Sequence, residues 1–220
     1  MKKSLALLAL TAFSFTNAQI KEKGTIEITP KIGNSRFFES NEDDASGYNS
    51  GVEFGATIDY YFNNRWSLRS GLIFQKMGGR SKVKLSDINP SIIDFFDPSF
   101  NPNSSITVED KFNYVSIPVN ANWHFGSTRK WNLNFGLSPS FLTSANIVIN
   151  GIKSKIPKSD IESFQLGFSY GIGYKIEITK KFGLLIDVQF FDGLTNINKA
   201  SDTRITNSGY SFNLGGVIQL

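Results

Sequence analysis

The most constraining feature of this sequence is the alternation of apolar and polar residues over unusually long segments. The clearest segment is FNYVSIPVNANWHF, in which mostly polar residues separate the apolar residues Val115, Ile117, Val119, Ala121, Trp123 and Phe125. Successive side chains of a strand point to opposite faces, so this pattern predicts a β-strand with one apolar and one mostly polar face. It is about 14 residues long, whereas strands of globular proteins are typically about 5–6 residues.

The same alternation recurs in seven further segments, which are residues 25–33, 52–62, 66–75, 131–141, 164–178, 182–191 and 210–220. Short connections alternate with long polar ones, and the long ones are residues 36–50, 79–108, 146–161 and 194–207. Short turns on one side and long loops on the other are typical of transmembrane β-barrels. The sequence therefore predicts an all-β protein, an eight-stranded antiparallel up-and-down transmembrane β-barrel with short periplasmic turns and long extracellular loops.

The polar face of these segments carries charges in mid-strand, which are Glu27, Lys31, Glu53, Asp59, Arg69, Lys175, Glu177 and Asp187. Aromatic residues cluster near the short turns on the other face, as in the membrane-interface girdles of barrels. A closed barrel also pairs every backbone group, as lipid requires. We therefore expect the apolar face to meet lipid and the charges to face inward. Phe168 and Ile172 should point to lipid, while Gly171 and Gly173 should point inward beside larger residues such as Tyr61 or Phe191.

The first residues predict the compartment. Lys2 and Lys3 precede a short apolar stretch, and Thr16-Asn17-Ala18 supplies the small residues of a cleavage site. This is the pattern of a secretory signal peptide at residues 1–18, cleaved to leave a barrel domain at residues 19–220. No later apolar run is long enough to form a spanning helix. An exported chain of this kind is periplasmic, secreted or a membrane barrel, and the alternation favours a barrel in the cell outer membrane.

Composition excludes several chemistries. There is no cysteine and one histidine, His124, so thiolate catalysis and histidine-cluster metal sites are not expected. Removal of residues 1–18 takes away two lysines and lowers the formal charge from +4 to +2, and a near-neutral chain gives no argument for nucleic acid. No nucleophile motif accompanies His124, which we interpret as structural. The prediction is therefore a protein with no catalytic, cofactor-binding or metal-binding residues.

Several segments together resemble a known family. YVSIPVNANWHF is similar to the Tyr-x-x-Ile-Pro strand of the PorT-like outer-membrane β-barrel family of Gram-negative bacteria, and WNLNFGLSPSFL follows it. GFSYGIGYKIEI, LLIDVQFFDGLTNI and the alternating C-terminal segment resemble the last three strands of that family. The resemblance covers essentially residues 19–220 and implies the barrel fold, with an accessory role in protein secretion as one functional possibility.

Two loop segments and the interior are candidate sites. ESNEDD, residues 39–44, is acidic but lacks the spacing of a calcium loop, so a solvated loop is the favoured interpretation. PSIIDFFDPSF, residues 90–100, is an apolar group that either contacts a partner or folds over the barrel mouth. The mixed interior charges suit a salt-bridged plug better than a conductive channel, because eight strands leave little free space inside.

These observations predict a non-enzymatic outer-membrane protein of a Gram-negative bacterium with a structural or interaction role. Its contact surface would be the extracellular loops at residues 36–50 and 79–108, and its partners the lipid bilayer and, during biogenesis, the barrel-assembly machinery. We expect a monomer that binds no nucleic acid. The alternatives are a small-solute pore, an accessory component of a secretion system, or a lipid hydrolase or acyltransferase, which the missing nucleophile-base pair argues against.

Overall fold

The computed structural model describes residues 21–41, 45–84 and 105–220. They form eleven β-strands: β1 (Ile26–Ser40), β2 (Gly47–Tyr61), β3 (Trp66–Met77), β4 (Gly79–Lys84), β5 (Ser105–Ser116), β6 (Val119–Phe125), β7 (Trp131–Ile149), β8 (Ile152–Lys155), β9 (Phe164–Glu177), β10 (Phe182–Gly193) and β11 (Thr206–Gln219). Within these residues no helix is long and apolar enough to cross a membrane. The predicted signal peptide and the apolar segment 90–100 lie outside the described residues.

All eleven strands belong to one antiparallel sheet that closes on itself. β1 pairs with β2 on one side and with β11 on the other, so the first and last strands of the chain meet. The β1–β11 pairing runs from Glu27 opposite Gln219 to Ser40 opposite Thr206. The predicted all-β antiparallel barrel is therefore confirmed.

The count of eleven strands differs from the predicted eight for local reasons. Gly78, with φ of 111°, separates β3 from β4, and a side-chain carbon there would lie 2.1 Å from the Asp110 carbonyl oxygen. Pro118 has no N–H to donate and separates β5 from β6. β8 is an added strand that turns back onto β7 through Asn150 and Gly151, which have φ of 48° and 86° as two-residue hairpins favour.

Connections of very different length define the two ends of the barrel. At the short-turn end, β2 joins β3, β6 joins β7 and β9 joins β10 through residues 62–65, 126–130 and 178–181. At the opposite long-loop end, strands replace much of the predicted loops, because β1 continues to Ser40 and β2 begins at Gly47. β7 likewise continues to Ile149. These strands remain paired with their neighbours well beyond the segments in which apolar and polar residues alternate. Backbone hydrogen bonding rather than hydrophobicity therefore sets their length.

Burial alternates along most of the long strands, as in β9 and β10. Phe168 and Ile172 are 38% and 40% exposed, whereas Gly171 and Gly173 are buried, so the predicted facing of β9 is confirmed. Phe191 does lie over a glycine, but that glycine is Gly167 rather than Gly171 or Gly173. The sheet therefore presents an apolar outer surface and encloses polar side chains, which we call the polar lumen.

Two rows of aromatic rings follow the outer surface. Near the short-turn end, neighbouring rings have centroids 4.8 to 6.3 Å apart along the row Trp66, Trp123, Phe125, Trp131 and Tyr174. Near the long-loop end, the spacing is 5.2 to 6.4 Å along Phe38, Tyr48, Tyr210, Phe190 and Tyr170. The sequence predicted the first row, and the second row became evident only from the strand register.

Candidate functional site: the lumen of the barrel

The lowest layer of the polar lumen is an ionic cluster at the short-turn end. The Glu27 carboxylate on β1 accepts hydrogen bonds from Lys175 Nζ on β9 and, at 2.9 Å, from the Tyr61 hydroxyl on β2. Lys21 Nζ approaches Glu27 at 3.3 Å and Glu177 at 3.6 Å. Because β1 and β9 are not neighbours in the sheet, the Glu27–Lys175 pair crosses the lumen.

A second ionic pair lies beside this layer. Arg69 Nε contacts both carboxylate oxygens of Asp59 at 3.2 Å, and Arg69 Nη2 contacts one of them at 3.1 Å. The two residues face each other on β2 and β3, and both are at least 97% buried, with exposures of 0% and 3%. Asn122 and Ser67 donate further hydrogen bonds to Asp59, at 2.7 and 2.9 Å. This bidentate geometry satisfies the buried carboxylate and fixes its position.

His124 lies inside the barrel, stacked on Tyr61 with ring centroids 4.7 Å apart. Its Nε2 is 2.9 Å from Ser67 Oγ, which in turn donates to Asp59. No motif in the sequence predicted that a serine and an acid would meet near His124. Here, however, the serine lies between the acid and the histidine, whereas nucleophilic catalysis requires the histidine between the other two. The arrangement therefore supports the structural interpretation of His124.

The predicted inward charges all face the lumen. Lys31 pairs with Glu53 at 3.2 Å, and the Asp187 carboxylate accepts a hydrogen bond from Gln189 at 3.2 Å. Around them polar side chains of different strands bond to one another, as in Asn120 to Asn134 at 2.8 Å. One cavity among the described lumen residues has a volume of about 50 Å³ and is bordered by residues such as Lys31, Glu53 and Arg69. Because one water needs about 10–15 Å³, this cavity suits a few waters and no larger solute.

The interior changes character towards the long-loop end, where apolar side chains fill it. We call this group the apolar cap, and it consists of Phe37, Met77, Phe112, Tyr114, Ala145, Phe191 and Ile197. Phe37 and Phe191 meet edge to face with centroids 6.0 Å apart. Of this cap, only Phe191 was predicted to lie inside, because Phe37 falls in a segment predicted as a loop and Phe112 was not assigned to the inner face.

Two carboxyl groups meet at the rim of the long-loop end. Glu39 at the end of β1 and Asp110 on β5 are close enough for each to affect the pKa of the other. Burial, and then the negative charge of Asp110, raises the pKa of Glu39 to about 8. Burial also raises the pKa of Asp110. Glu39 belongs to the acidic run predicted as a solvated loop, but it continues β1, and residues 42–44 of that run lie outside the described residues.

Within residues 21–41, 45–84 and 105–220, no group of three or more His, Asp or Glu side chains is arranged to hold a metal ion. The inner face instead uses its carboxylates as partners for Lys175, Arg69 and Lys31. The site is therefore an arrangement of paired charges that fills space.

A closed antiparallel sheet with an apolar outer surface, aromatic girdles and a polar interior is the architecture of transmembrane β-barrels. Residues 17–199 match the family described as outer membrane protein beta-barrel domain, so the chain belongs to that family and is a protein of the outer membrane. No curated protein matches the chain.

Several solved barrels are similar in shape. OprG of Pseudomonas aeruginosa has 10% identity and a TM-score of 0.48, with coverage of 90% of this chain and 97% of OprG. Neisserial surface protein A has 15% identity and a TM-score of 0.47, with coverage of 88% and 97%. Ail of Yersinia pestis, solved with the heparin analogue sucrose octasulfate, has 13% identity and a TM-score of 0.43, with coverage of 89% and 99%. At these values the similarity carries no argument about ligands.

Proposed function

We propose that this chain is a non-enzymatic outer-membrane barrel with a closed lumen, which acts as a structural or interaction protein through its long-loop end. The observation that carries the proposal is the double closure of the lumen. The Glu27–Lys175 pair crosses the polar lumen near one end, and the apolar cap fills the other. A solute would have to break both an ion pair and a packed apolar cluster to pass.

The long-loop end faces the cell exterior in this proposal. Both ends of the described barrel lie at the short-turn end, since Lys21 bonds to Gln219 at 2.6 Å and Leu220 N–H donates to the Ile26 carbonyl. Barrels of this type keep short turns and both termini in the periplasm. Export to the outer membrane would use a signal peptide at residues 1–18, whose cleavage leaves residues 19–220 as the barrel domain. The partner during biogenesis would be the barrel-assembly machinery.

Eight membrane-crossing segments fit the eleven strands. β4 continues β3, β6 continues β5, and β8 pairs only with β7 among the described strands, so the ring of pairings passes through eight positions. This number and the Tyr114-x-x-Ile117-Pro118 segment support membership of the PorT-like branch of the family. A ring that closes within one chain also supports a monomer.

Long strands support the interaction role. β7 has 19 residues, whereas about 9–11 residues are enough for a tilted strand to cross a membrane. The remainder of β7, together with β4, β5 and β8, extends past the outer aromatic row at the long-loop end. This extension offers a rigid surface beside the segments at residues 36–50 and 79–108.

Planar-bilayer recording of the refolded protein tests the closed lumen. We expect no steady unit conductance. The triple variant Glu27→Ala/Tyr61→Ala/Lys175→Ala removes the ionic closure and should also stay silent, because the apolar cap remains. Steady unit conductance of the unmodified chain would overturn the proposal and favour the pore.

A deletion strain tests the non-enzymatic character of the barrel, and a strain that carries a tagged protein tests its interaction role. Unchanged envelope lipids in the deletion strain are expected of a non-enzymatic barrel, and a changed lipid profile would contradict it. If the barrel has an interaction role, we expect envelope or extracellular proteins to co-purify with the tagged protein. These proteins should be lost when β8 is removed. Loss of exported proteins from the medium of the deletion strain would favour the secretion role instead.

A further inference from the structure

The upper outer surface of the barrel changes abruptly from apolar to basic on one side. Five exposed or half-exposed apolar side chains are direct neighbours across successive strands, namely Phe54, Phe74, Val115, Phe141 and Phe164. This row faces lipid in the proposed function. Two residues further along β3 comes Lys76, a step of about 7 Å.

Cations fill the rows beyond this boundary. Lys111 on β5 lies opposite Asn146, which lies opposite Lys155 on β8. In the next row, Arg80 lies opposite Glu109, and Glu109 opposite Val148, which faces Lys153. We call the five cations the basic face: Lys76, Arg80, Lys111, Lys153 and Lys155.

The charges of the basic face are close together and only partly neutralised. Glu109, the acidic residue of these rows, contacts Lys111 at 2.7 Å and Arg80 at 3.5 Å. The opposite side of the barrel differs, because there Asp192 of β10 lies opposite Ser208 of β11 near the aromatic row. On that side Arg36 of β1, opposite Tyr210, is an exposed cation, so the five cations of the β3–β8 side form the denser group.

We infer that the basic face binds the phosphate groups of lipids in the leaflet that surrounds the long-loop end. Its position is the main reason, since the first cation, Lys76, follows Phe74 of the lipid-facing row by two residues and so lies at the edge of the apolar surface. Long lysine and arginine side chains near membrane boundaries reach the headgroup region. Clustered cations attract anionic lipid near the membrane surface. The inference rests on the proposed lipid-facing surface and adds a ligand class to it.

Lipid binding to the full chain, refolded in detergent and transferred to nanodiscs of zwitterionic lipid, tests the inference. The probes are bis-phosphorylated lipid A and the same lipid after removal of its phosphates, and native mass spectrometry counts the retained molecules. We expect the phosphorylated lipid to bind more tightly, with binding weakened by salt. Equal binding of the two lipids would overturn the inference.

The variant Lys76→Gln/Lys111→Gln/Lys153→Gln should lose at least about tenfold in apparent affinity for the phosphorylated lipid. The matched control Lys23→Gln/Lys180→Gln/Lys181→Gln removes three exposed lysines at the short-turn end and should bind like the unmodified chain. Heat-modifiable gel migration verifies folding, and Lys153→Gln on the exposed strand β8 serves if the triple variant does not fold. Unchanged binding by a folded variant would overturn the assignment to the basic face.

Inositol hexakisphosphate, a soluble polyphosphate, separates the two possible sources of phosphate. Weak binding that fails to compete with lipid A is expected if the lipid-facing row contributes. Binding as tight as that of lipid A would overturn the lipid assignment in favour of a soluble polyanion. Conductance of the barrel, which would overturn the proposed function, is a separate measurement and leaves this result unaffected.

Discussion

In the short-turn half of the barrel, most buried side chains are polar, with exceptions such as Leu185 and Val217, and the exposed side chains of the outer surface are mostly apolar. The long-loop half instead encloses Phe37, Met77 and Phe112 and exposes lysines. The same strands run through both halves, so the difference cannot come from backbone geometry. The difference between the outer surfaces reflects what surrounds each half, since a surface in lipid must be apolar and a surface in water can be charged. The interior differs between the halves as well. The short-turn half encloses paired charges, and the long-loop half encloses packed aromatic rings.

The largest effect should come from the apolar cap. Phe112→Ala removes a side chain that is 2% exposed, and we expect a loss of about 3–5 kcal/mol in the free energy of unfolding. The control Phe141→Ala changes a ring that is 47% exposed on the outer surface and should cost clearly less, because lipid tails fill the space. Denaturant titration in lipid vesicles measures both. Equal losses would mean that the long-loop half has no packed core of its own.

The next prediction tests which face of β9 and β10 points to lipid and which points inward. Ile172→Arg puts a charge on the outer face near the bilayer midplane and should cost about 2–4 kcal/mol. The matched change Gln189→Arg adds the same side chain on the inner face, beside Asp187 and the small cavity, and should cost much less. The same titration compares them. A stable Ile172→Arg with an unfolded Gln189→Arg would require the inside and outside of the barrel to be exchanged.

The smallest expected change in the free energy of unfolding comes from the Glu39–Asp110 pair at the rim of the long-loop end. The folded state holds the proton of the Glu39–Asp110 pair more tightly than the unfolded chain, because the pKa of Glu39 is raised from 4.5 to about 8. Stability from this pair is therefore complete below about pH 4.5 and is lost as the pH rises through 8. Glu39 is half-buried at a strand end, so we expect at most about 1 kcal/mol in global unfolding. Unfolding titrations between pH 4 and 9 should show this slope, and Glu39→Gln should remove it. An unchanged slope in the variant would mean that another group titrates.

Alternation alone predicted the face of nearly every strand residue, as Lys175, Tyr61 and Phe168 illustrate. It could not predict pairs such as Glu27–Lys175, because the two residues are 148 positions apart and meet only when the ring closes. Nor could it locate the boundary between the two halves. Phe37 has the same parity as Glu27, and parity reports the face of a residue rather than its height.

Local geometry was also out of reach of the sequence. Alternation places Gly171 on the inner face, but it does not show that a side-chain carbon there would lie 2.4 Å from the Val188 carbonyl oxygen. A substitution at Gly171 therefore has to displace backbone, which yields less easily than a flexible side chain. The break at Gly78 similarly depends on the close Asp110 carbonyl, which belongs to a strand about 30 positions further along the chain.

The seam between β1 and β11 has a consequence for how the molecule assembles. The other long strands around the ring pair with strands near them in the sequence, but the seam joins Lys21 to Gln219 across 198 positions. Contacts of such separation carry the highest chain-entropy cost and tend to form late. The last event of folding should therefore be the zipping of this seam, and until then both edges remain open for pairing. An assembly factor that held those two edges would control the moment at which the newly made protein becomes a free barrel.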